Sequence, residues 1–306
     1  MASRAGGRAA RWGAAALTVW AAAAAAPAAA AEPGAVVVVR SADLAPHAAV
    51  EKAFVAAYGK GARAIELAPG DLAVQLRAVV GDARVIVAIG PDAARAAVAL
   101  HRGAVVDALV PPAVQAELGD GARAVPAHPS PGQHVQIVRA LLPHARRVGI
   151  VYDPAASSGV LAECEAALTA AGLTLVRREV ADTAAVPGAV REVLGGVDAL
   201  WLLADTTVLA PQNVRGILEV AAARHVPLIA PNAALTRAGA LFGIEADYAD
   251  VGRAAAGIAR RLADGKPPLP PAPLRGDLFL NAAAARAFDV KIPDRVAARA
   301  VKIFDS

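Results

Sequence analysis

Short runs of β-branched and aliphatic residues alternate along this chain with longer segments in which apolar residues recur at helical spacing. We predict strands at 36–40, 63–67, 84–89, 104–110, 147–152, 173–179, 197–203 and 226–230. Helix-compatible segments lie between most of them, at 46–58, 71–80, 91–101, 133–142, 158–171, 184–194 and 211–224. This alternation is typical of βαβ units. The near-continuous apolar strands favour parallel sheets that are covered by helices on both faces.

The order of these elements predicts an α/β protein with two Rossmann-like lobes, each built on a parallel sheet. A tail follows, with a strand at 241–244, a helix at 248–262, a proline-rich connector at 266–273, a strand at 277–280 and a helix at 281–288. We expect the tail to revisit both lobes and so to form a hinge. The expected lobes are 32–133 plus about 244–268, and 134–243 plus about 269–306.

The first 31 residues have the pattern of a secretory signal peptide. Arg4, Arg8 and Arg11 precede an apolar run at 12–26, and the small residues 29–31 fit a cleavage site after Ala31. The alternative is an uncleaved membrane anchor, but the run of about 15 residues is shorter than the roughly 20 that a bilayer span needs. Since the sole cysteine, Cys164, lies far away, we predict a periplasmic protein without a lipid anchor or an internal disulfide.

The charge of the chain argues against a nucleic-acid partner. The three signal-peptide arginines account for three of the four net positive charges, so the mature chain carries about +1. Its basic and acidic residues are interspersed, and aromatic residues make up 4% of the chain, too few for a platform that stacks bases. The 57% hydrophobic content, inflated by alanine, is enough for one large or two medium domains.

Polar residues follow several of the predicted strands. In open parallel sheets, ligands bind beyond the carboxyl ends of the strands, where loops and helix N-termini converge. We therefore predict a ligand-binding set that consists of Ser41, Asp43, Gly90, Asp153, Ser157, Ser158, Asp205, Thr206, Thr207, Asn232, Asp247 and Tyr248. Asp205 is the leading candidate, because a carboxylate followed by two hydroxyls could hold an ammonium or hydroxyl group.

Each of these residues also has a structural interpretation. Serine, aspartate and asparagine at these places are common helix N-caps and turn formers. A helix-capping role is the alternative to ligand contact for Asp205, for Asn232, for Ser157 with Ser158, and for Ser41 with Asp43. Tyr248, like Tyr152, could stack on an aromatic ligand or belong to the core.

Metal and catalytic motifs are not found in the sequence. The histidines lie in different predicted elements, without a cysteine or acidic partner at metal-ligand spacing: His47, His101, His128, His134, His144 and His225. The sequence contains no G-x-S-x-G, H-E-x-x-H or P-loop motif, and no strand is followed by G-x-G-x-x-G. We predict no cofactor, no metal and no enzymatic activity, although residues from distant loops could still meet.

Four stretches resemble one family. They are 141–154 (LLPHARRVGIVYDP), 197–208 (VDALWLLADTTV), 226–232 (VPLIAPN), and 280–293 with its Leu280-Asn281 and Ile292-Pro293 pairs. The chain resembles the ABC-transporter substrate-binding proteins of the TrpX-like group, which share the type I periplasmic binding fold. The resemblance implies a solute in the cleft between two lobes, an amino acid as solute class, and a membrane permease with a cytoplasmic ATPase as partners.

The predicted function is reversible binding of a small organic solute by a monomer that delivers it to the permease of an ABC importer. Segment 104–133 departs from the family, because Pro111-Pro112 and a short loop around His128 stand where a longer polar ligand loop is expected. Two alternatives stay open: a ligand-sensing subunit for a membrane sensor kinase, and a periplasmic enzyme.

Overall fold

The computed structural model describes residues 36–67, 70–81, 83–100, 103–126, 128–269 and 274–305. Three parts of the chain lie outside these residues: the predicted signal peptide, residues 270–273 at the end of the proline-rich connector, and the side chain of Ser158. Two sheets with helices on both faces form the described part of the chain, so the predicted α/β class is confirmed. Within it, no helix combines the length and the apolar character that a membrane span requires.

The first sheet is parallel throughout, in the spatial order β2-β1-β3-β4-β5. Its strands are β1 Val36–Arg40, β2 Ala62–Glu66, β3 Val85–Ile89, β4 Ala104–Ala108 and β5 Arg123–Ala124, and its helices are α1 Ala45–Tyr58, α2 Leu72–Val80, α3 Pro91–Leu100 and α4 Pro112–Leu118. The four valines of β1 are fully buried because alternate residues face different helix layers. Val36 and Val38 pack in the core that contains Phe54 of α1, and Val37 and Val39 in the opposite core.

The second sheet has the spatial order β12-β11-β10-β9-β8-β6-β7, with β11 antiparallel to β10. Its strands are β6 Arg147–Tyr152, β7 Thr174–Glu179, β8 Ala199–Trp201, β9 Leu228–Ala230, β10 Phe242–Ala246, β11 Gly276–Asn281 and β12 Ala300–Phe304. Its helices are α5 Pro131–Leu141, α6 Pro154–Ala170, α7 Val186–Val193, α8 Pro211–Ala223, α9 Ala233–Arg237, α11 Ala282–Ala287 and α12 Asp294–Ala297. Alternate residues again enter two cores, with Trp201 on one face and Leu200 on the other.

The chain returns to the first sheet through α10, Tyr248–Ala263. Buried Val251, Ala255 and Ala259 of this helix share a core with β1 and α1, and Leu274 joins the same core before the chain enters β11. Three segments therefore run between the sheets, before α5, before α10 and before β11. We propose that one lobe comprises β1–β5, α1–α4 and α10, and that the remaining elements form the other.

The three crossing segments meet around Gln133 and Gly276. Gln133 donates through Nε2 to the Leu274 carbonyl at 2.6 Å and accepts through Oε1 from the Gly276 amide at 3.2 Å. A Cβ atom at Gly276 would lie 2.7 Å from Pro129 Cγ and 2.8 Å from the Glu245 carbonyl oxygen. Only a residue without a side chain allows this close approach of all three segments.

Two helices differ from the sequence prediction. Helix α6 begins at Pro154 rather than at residue 158, because Asp153 caps it and proline is favoured in the first turn, so Ser157 lies inside the helix. Helix α4 begins at Pro112, in a segment to which the sequence pattern assigned no element. Four further short elements, α9, α12, β5 and β12, were not predicted from the sequence either.

Candidate functional site

A cavity of about 330 Å³ lies at the carboxyl edge of the second sheet. The ends of β8, β9 and β10, the second and third turns of α6, and the starts of α5, α9 and α10 enclose it. Its wall consists of His128, Pro129, Pro131, His134, Val160, Cys164, Trp201, Leu202, Leu203, Ala204, Pro231, Asn232, Ala234, Ile244, Glu245, Ala246 and Tyr248. Its size and its mainly apolar wall with a few polar groups are typical of sites for small organic molecules.

One wall of the cavity is aromatic. The rings of His134 and Trp201 pack with centroids 4.8 Å apart at an interplanar angle of 31°. Both residues are buried, and Nδ1 of His134 has no hydrogen-bond partner within the described residues. Burial lowers the pKa of His134 to about 4, so the ring is neutral at neutral pH. Beside them, burial raises the pKa of the Cys164 thiol to about 12, which keeps it protonated and unreactive.

The wall also contains Glu245, the last residue but one of β10. Its Oε2 accepts from the Ala233 amide at 3.0 Å. Burial raises the pKa of the Tyr248 hydroxyl, and the negative charge of Glu245 and a hydrogen bond to it raise the value further. Directly across the ladder from Glu245 lies Asp277 of β11. Its pKa is raised by burial and then by the charges of Asp247 and Glu245, so this edge of the sheet is electronegative.

Four predicted site residues form a closed network beyond β6 and β8. Asp205 is 1% exposed, and its Oδ2 accepts from the Asp153 amide and the Ser157 hydroxyl, each at 2.8 Å. Its Oδ1 accepts from the amides of Thr207 and Val208, each at 3.0 Å. The Thr207 hydroxyl donates to Asp153 Oδ2 at 2.7 Å. Both oxygens of Asp205 are thus occupied by donors of the protein itself.

Other predicted site residues cap helices. Asn232 accepts from the Leu235 amide at 2.9 Å at the start of α9, and Asp247 accepts from the Ala249 amide at 2.9 Å at the start of α10. Both residues still lie at the edge that holds the cavity, and Asn232 is part of its wall. Thr206 is exposed between the network and solvent.

The predicted residues of the first sheet lie in a separate group, beyond β1 and β3. Gly90 has a φ of 94°, and a Cβ atom there would lie 2.9 Å from Ser41 Oγ and 3.1 Å from His47 Nε2. Asp43 is 80% exposed and accepts from Arg40 at 2.8 Å. Burial lowers the pKa of His47, and the nearby charge of Arg40 lowers it further.

The structure thus brings the predicted residues into two groups at the carboxyl edges of the two sheets. Sequence reasoning did not propose four wall residues, namely Trp201, His134, His128 and Glu245, as ligand contacts. The position of Glu245 carried a signal, since it follows the predicted strand 241–244 directly. His134 and Trp201 carried none, because each is an ordinary core residue in its own element.

Within the described residues, no three histidine, cysteine or acidic side chains are grouped as a metal site requires. Among the described residues of the cavity wall, burial keeps the Cys164 thiol protonated and therefore a poor nucleophile. The arrangement is suited to holding a molecule by its apolar surface and by a few polar contacts.

Comparisons with known proteins agree with this geometry. A search of curated proteins gave no match. Among solved structures, the ABC domain from Streptococcus pneumonia in complex with L-Trp is 20% identical, with a TM-score of 0.62 over 88% of this chain and 99% of that chain. A ligand-free, open substrate-binding protein from Clostridium difficile is 15% identical, with a TM-score of 0.67 over 89% of this chain and 99% of that one. A conserved domain protein from Vibrio cholerae is 22% identical, with a TM-score of 0.59 over 88% and 98%.

The family profile described as "ABC transporter substrate binding protein" matches residues 63–304. At these identities, the solved structures support the two-lobed fold alone. Because the profile spans well over half of the chain, the protein belongs to the ABC transporter substrate-binding proteins, with the type I periplasmic binding fold.

Proposed function

We propose that the protein is the periplasmic receptor of an ABC import system and that it binds a small organic solute in the cavity beside Trp201. The observation that carries the proposal is the position of this cavity. Segments that run between the two sheets supply part of its wall, around His128 and Tyr248. Movement of the sheets about these segments would therefore change the cavity, which couples solute binding to closure.

We propose that the polar residues beyond the strands have two kinds of role. Asp205, Asp153, Ser157 and Thr207 hold the loops after β6 and β8 in place, because their hydrogen bonds are made to one another. The cavity wall provides the contacts to the solute. On closure, the edge with Ser41 and Gly90 would approach from the first sheet and bury most of the solute surface. The solute then leaves unchanged, and the closed form is the state that the permease recognises.

The mature chain offers a direct assay. Trp12 and Trp20 belong to the predicted signal peptide, so Trp201, in the cavity wall, is the sole tryptophan after cleavage at Ala31. We would produce residues 32–306 and screen amino acids, amines, sugars, nucleosides and small aromatic acids for a rise in the unfolding midpoint. A solute at about 100 times its Kd adds about 2.7 kcal/mol to the free energy of unfolding. Aromatic amino acids belong in the panel because the Streptococcus pneumonia structure contains L-Trp.

A true solute should change Trp201 fluorescence at the concentration that raises the unfolding midpoint, and mass spectrometry should recover it unmodified. Replacement of Trp201 by leucine should weaken binding more than replacement of Leu209, which packs on the opposite core of the same sheet, by alanine. If no compound class raised the unfolding midpoint, the receptor proposal would be refuted. Conversion of the solute into a product would show an enzyme instead.

A further inference from the structure

We propose that the solute is an organic cation, an amine attached to an apolar or aromatic body, and that Glu245 recognises its ammonium group. The inference rests on the proposed function, since it takes the cavity as the solute site. It differs from the amino acid that the resemblance implies, because the proposed solute needs an ammonium group but no carboxylate.

The charge of the cavity wall favours a cation. Among its described residues, Glu245 is the one carboxylate, and none is a lysine or an arginine. His134 does not supply a positive charge at neutral pH, because burial lowers its pKa to about 4. An ammonium group would therefore meet one fixed negative charge in a largely apolar surrounding, where ionic hydrogen bonds are strong.

Within the part of the chain that the structure describes, no ion pair neutralises the charge of Glu245. Within the described residues, its polar contacts are the Ala233 amide and the Tyr248 hydroxyl, both of them neutral donors. Asp277 faces it across the antiparallel ladder, an arrangement of like charges that costs stability. A bound ammonium group would offset the repulsion between Glu245 and Asp277, so its binding would stabilise this edge of the sheet.

A solute carboxylate has fewer free amides to bind at this edge than the number of helix starts suggests. Helix N-termini often serve as anion sites. In three of the helices there, however, a side chain of the protein already takes an amide of the first turn, and Pro131 at the start of α5 has no N–H to offer. Asp153, Asn232 and Asp247 accept from the first turns of α6, α9 and α10. Glu245 takes the Ala233 amide at the start of α9 as well.

Among the described residues at the facing edge of the first sheet, the arginine at the end of β1 is not a free cation either. Arg40, at the end of β1, makes ion pairs with Asp43 at 2.8 Å, Glu51 at 2.9 Å and Glu66 at 2.5 Å. One positive charge is thus matched by three negative ones. Closure would bring a second acidic edge towards the solute, which favours a cation and disfavours the carboxylate of an amino acid.

The aromatic wall is suited to the rest of such a solute. The buried indole of Trp201 and the ring of Tyr248 both line the cavity. An ammonium group and the methylene next to it are attracted to the faces of such rings, and an aryl or alkyl body gains from burial against them. The combination of one carboxylate with aromatic rings is a common solution for binding organic amines.

The test compares matched pairs of compounds that differ by a carboxylate: tryptamine with tryptophan, tyramine with tyrosine and phenethylamine with phenylalanine. Agmatine and tetramethylammonium extend the range of cations. Isothermal titration of residues 32–306 should give at least ten-fold tighter binding for an amine than for its amino acid. Higher salt concentration should weaken the binding of amines.

Glu245→Gln should weaken amine binding by about ten- to a hundred-fold, the loss expected for one ionic hydrogen bond in a partly buried site. The variant keeps an oxygen that can accept from the Ala233 amide, so its unfolding midpoint should stay close to that of the parent. Glu219→Gln is the matched control, since Glu219 lies exposed on α8 in an ion pair with Arg215, and it should leave binding unchanged.

Tighter binding of an amino acid than of its amine, or binding restricted to neutral or anionic solutes, would overturn the cation inference and leave the receptor proposal standing. An unchanged amine affinity in Glu245→Gln would overturn the role of Glu245. If no compound of any charge raised the unfolding midpoint, the receptor proposal itself would fail, and the inference with it.

Discussion

Replacement of Asp205 tests whether this buried carboxylate serves the fold. It is 1% exposed, carries no ion pair within the described residues and accepts four hydrogen bonds, two at each oxygen. Asp205→Asn keeps the shape and can keep the bonds from Thr207 and Val208. Its amide NH₂ would then face the Asp153 amide, and two donors would oppose each other.

The magnitude follows from these contacts. A hydrogen bond to a charged group contributes about 1.5–3 kcal/mol, and a buried N–H left without an acceptor costs about 1–3 kcal/mol. The Ser157 hydroxyl can turn and accept, so the Asp153 amide carries most of the penalty. We expect Asp205→Asn to lower the free energy of unfolding by about 3 kcal/mol, and Ser157→Ala to lower it by about 1.5 kcal/mol.

Urea denaturation of residues 32–306 measures these changes, since the denaturation midpoint shifts with stability at a constant slope. Asp198→Asn is the matched control. Asp198 also accepts from two backbone amides, those of Arg146 and Arg147, but it does so in an exposed position. Its replacement should cost less than about 1 kcal/mol. If Asp205→Asn lowered the free energy of unfolding no more than Asp198→Asn does, the buried network would not be a source of the stability of the fold.

Three further predictions concern the segments between the sheets and the aromatic wall. Gln133→Ala should lower the free energy of unfolding by about 1–2 kcal/mol, through loss of its two bonds to the third crossing, and should change the radius of gyration measured by X-ray scattering. Gly276→Ala should cost about 1–3 kcal/mol, because the new Cβ would overlap Pro129, and urea denaturation should reveal it. The His134 pKa of about 4 in the folded chain lies below its ordinary value of 6.5. The neutral buried ring therefore contributes fully to the free energy of unfolding above pH 6.5, and this contribution is lost as the pH falls towards 4. That loss, on the order of 3 kcal/mol, should be missing from the pH profile of His134→Phe, and identical profiles would refute it.

The sequence was sufficient to predict most of the fold. The valine run of β1 and the apolar stretch of β3 predicted buried strands, because continuous apolar runs need cover on both faces. Strand β12 was missed because Val301 and Ile303 are exposed at the edge of the sheet, where pattern and burial are weak. Helix α4 was not predicted, although Pro112 stands at its first position, where proline favours a helix start.

The site was predicted less fully than the fold. The polar residues that follow the strands lie at the carboxyl edges of the sheets, but sequence alone does not distinguish an acceptor that caps a helix from one that faces a ligand. Asn232 shows the problem, since it caps α9 and also lines the cavity. The contact between His134 and Trp201 joins α5 to β8, and no local pattern in either element predicts it.

Helix capping explains why Glu245 differs from the other acidic residues at this edge. Each helix start offers unpaired amides, and a carboxylate one or two residues before that start satisfies them at little entropic cost. Asp153 and Asp247 occupy such positions and accept from those amides, and Asp247 also makes an ion pair with Arg253 at 3.1 Å. Glu245 lies inside a strand, and its longer side chain reaches one amide of a different helix while remaining in the cavity wall. Among the described residues of the cavity wall, Glu245 is the one carboxylate, it caps no helix of its own and it faces Asp277 across the ladder, so its charge is available to a bound cation.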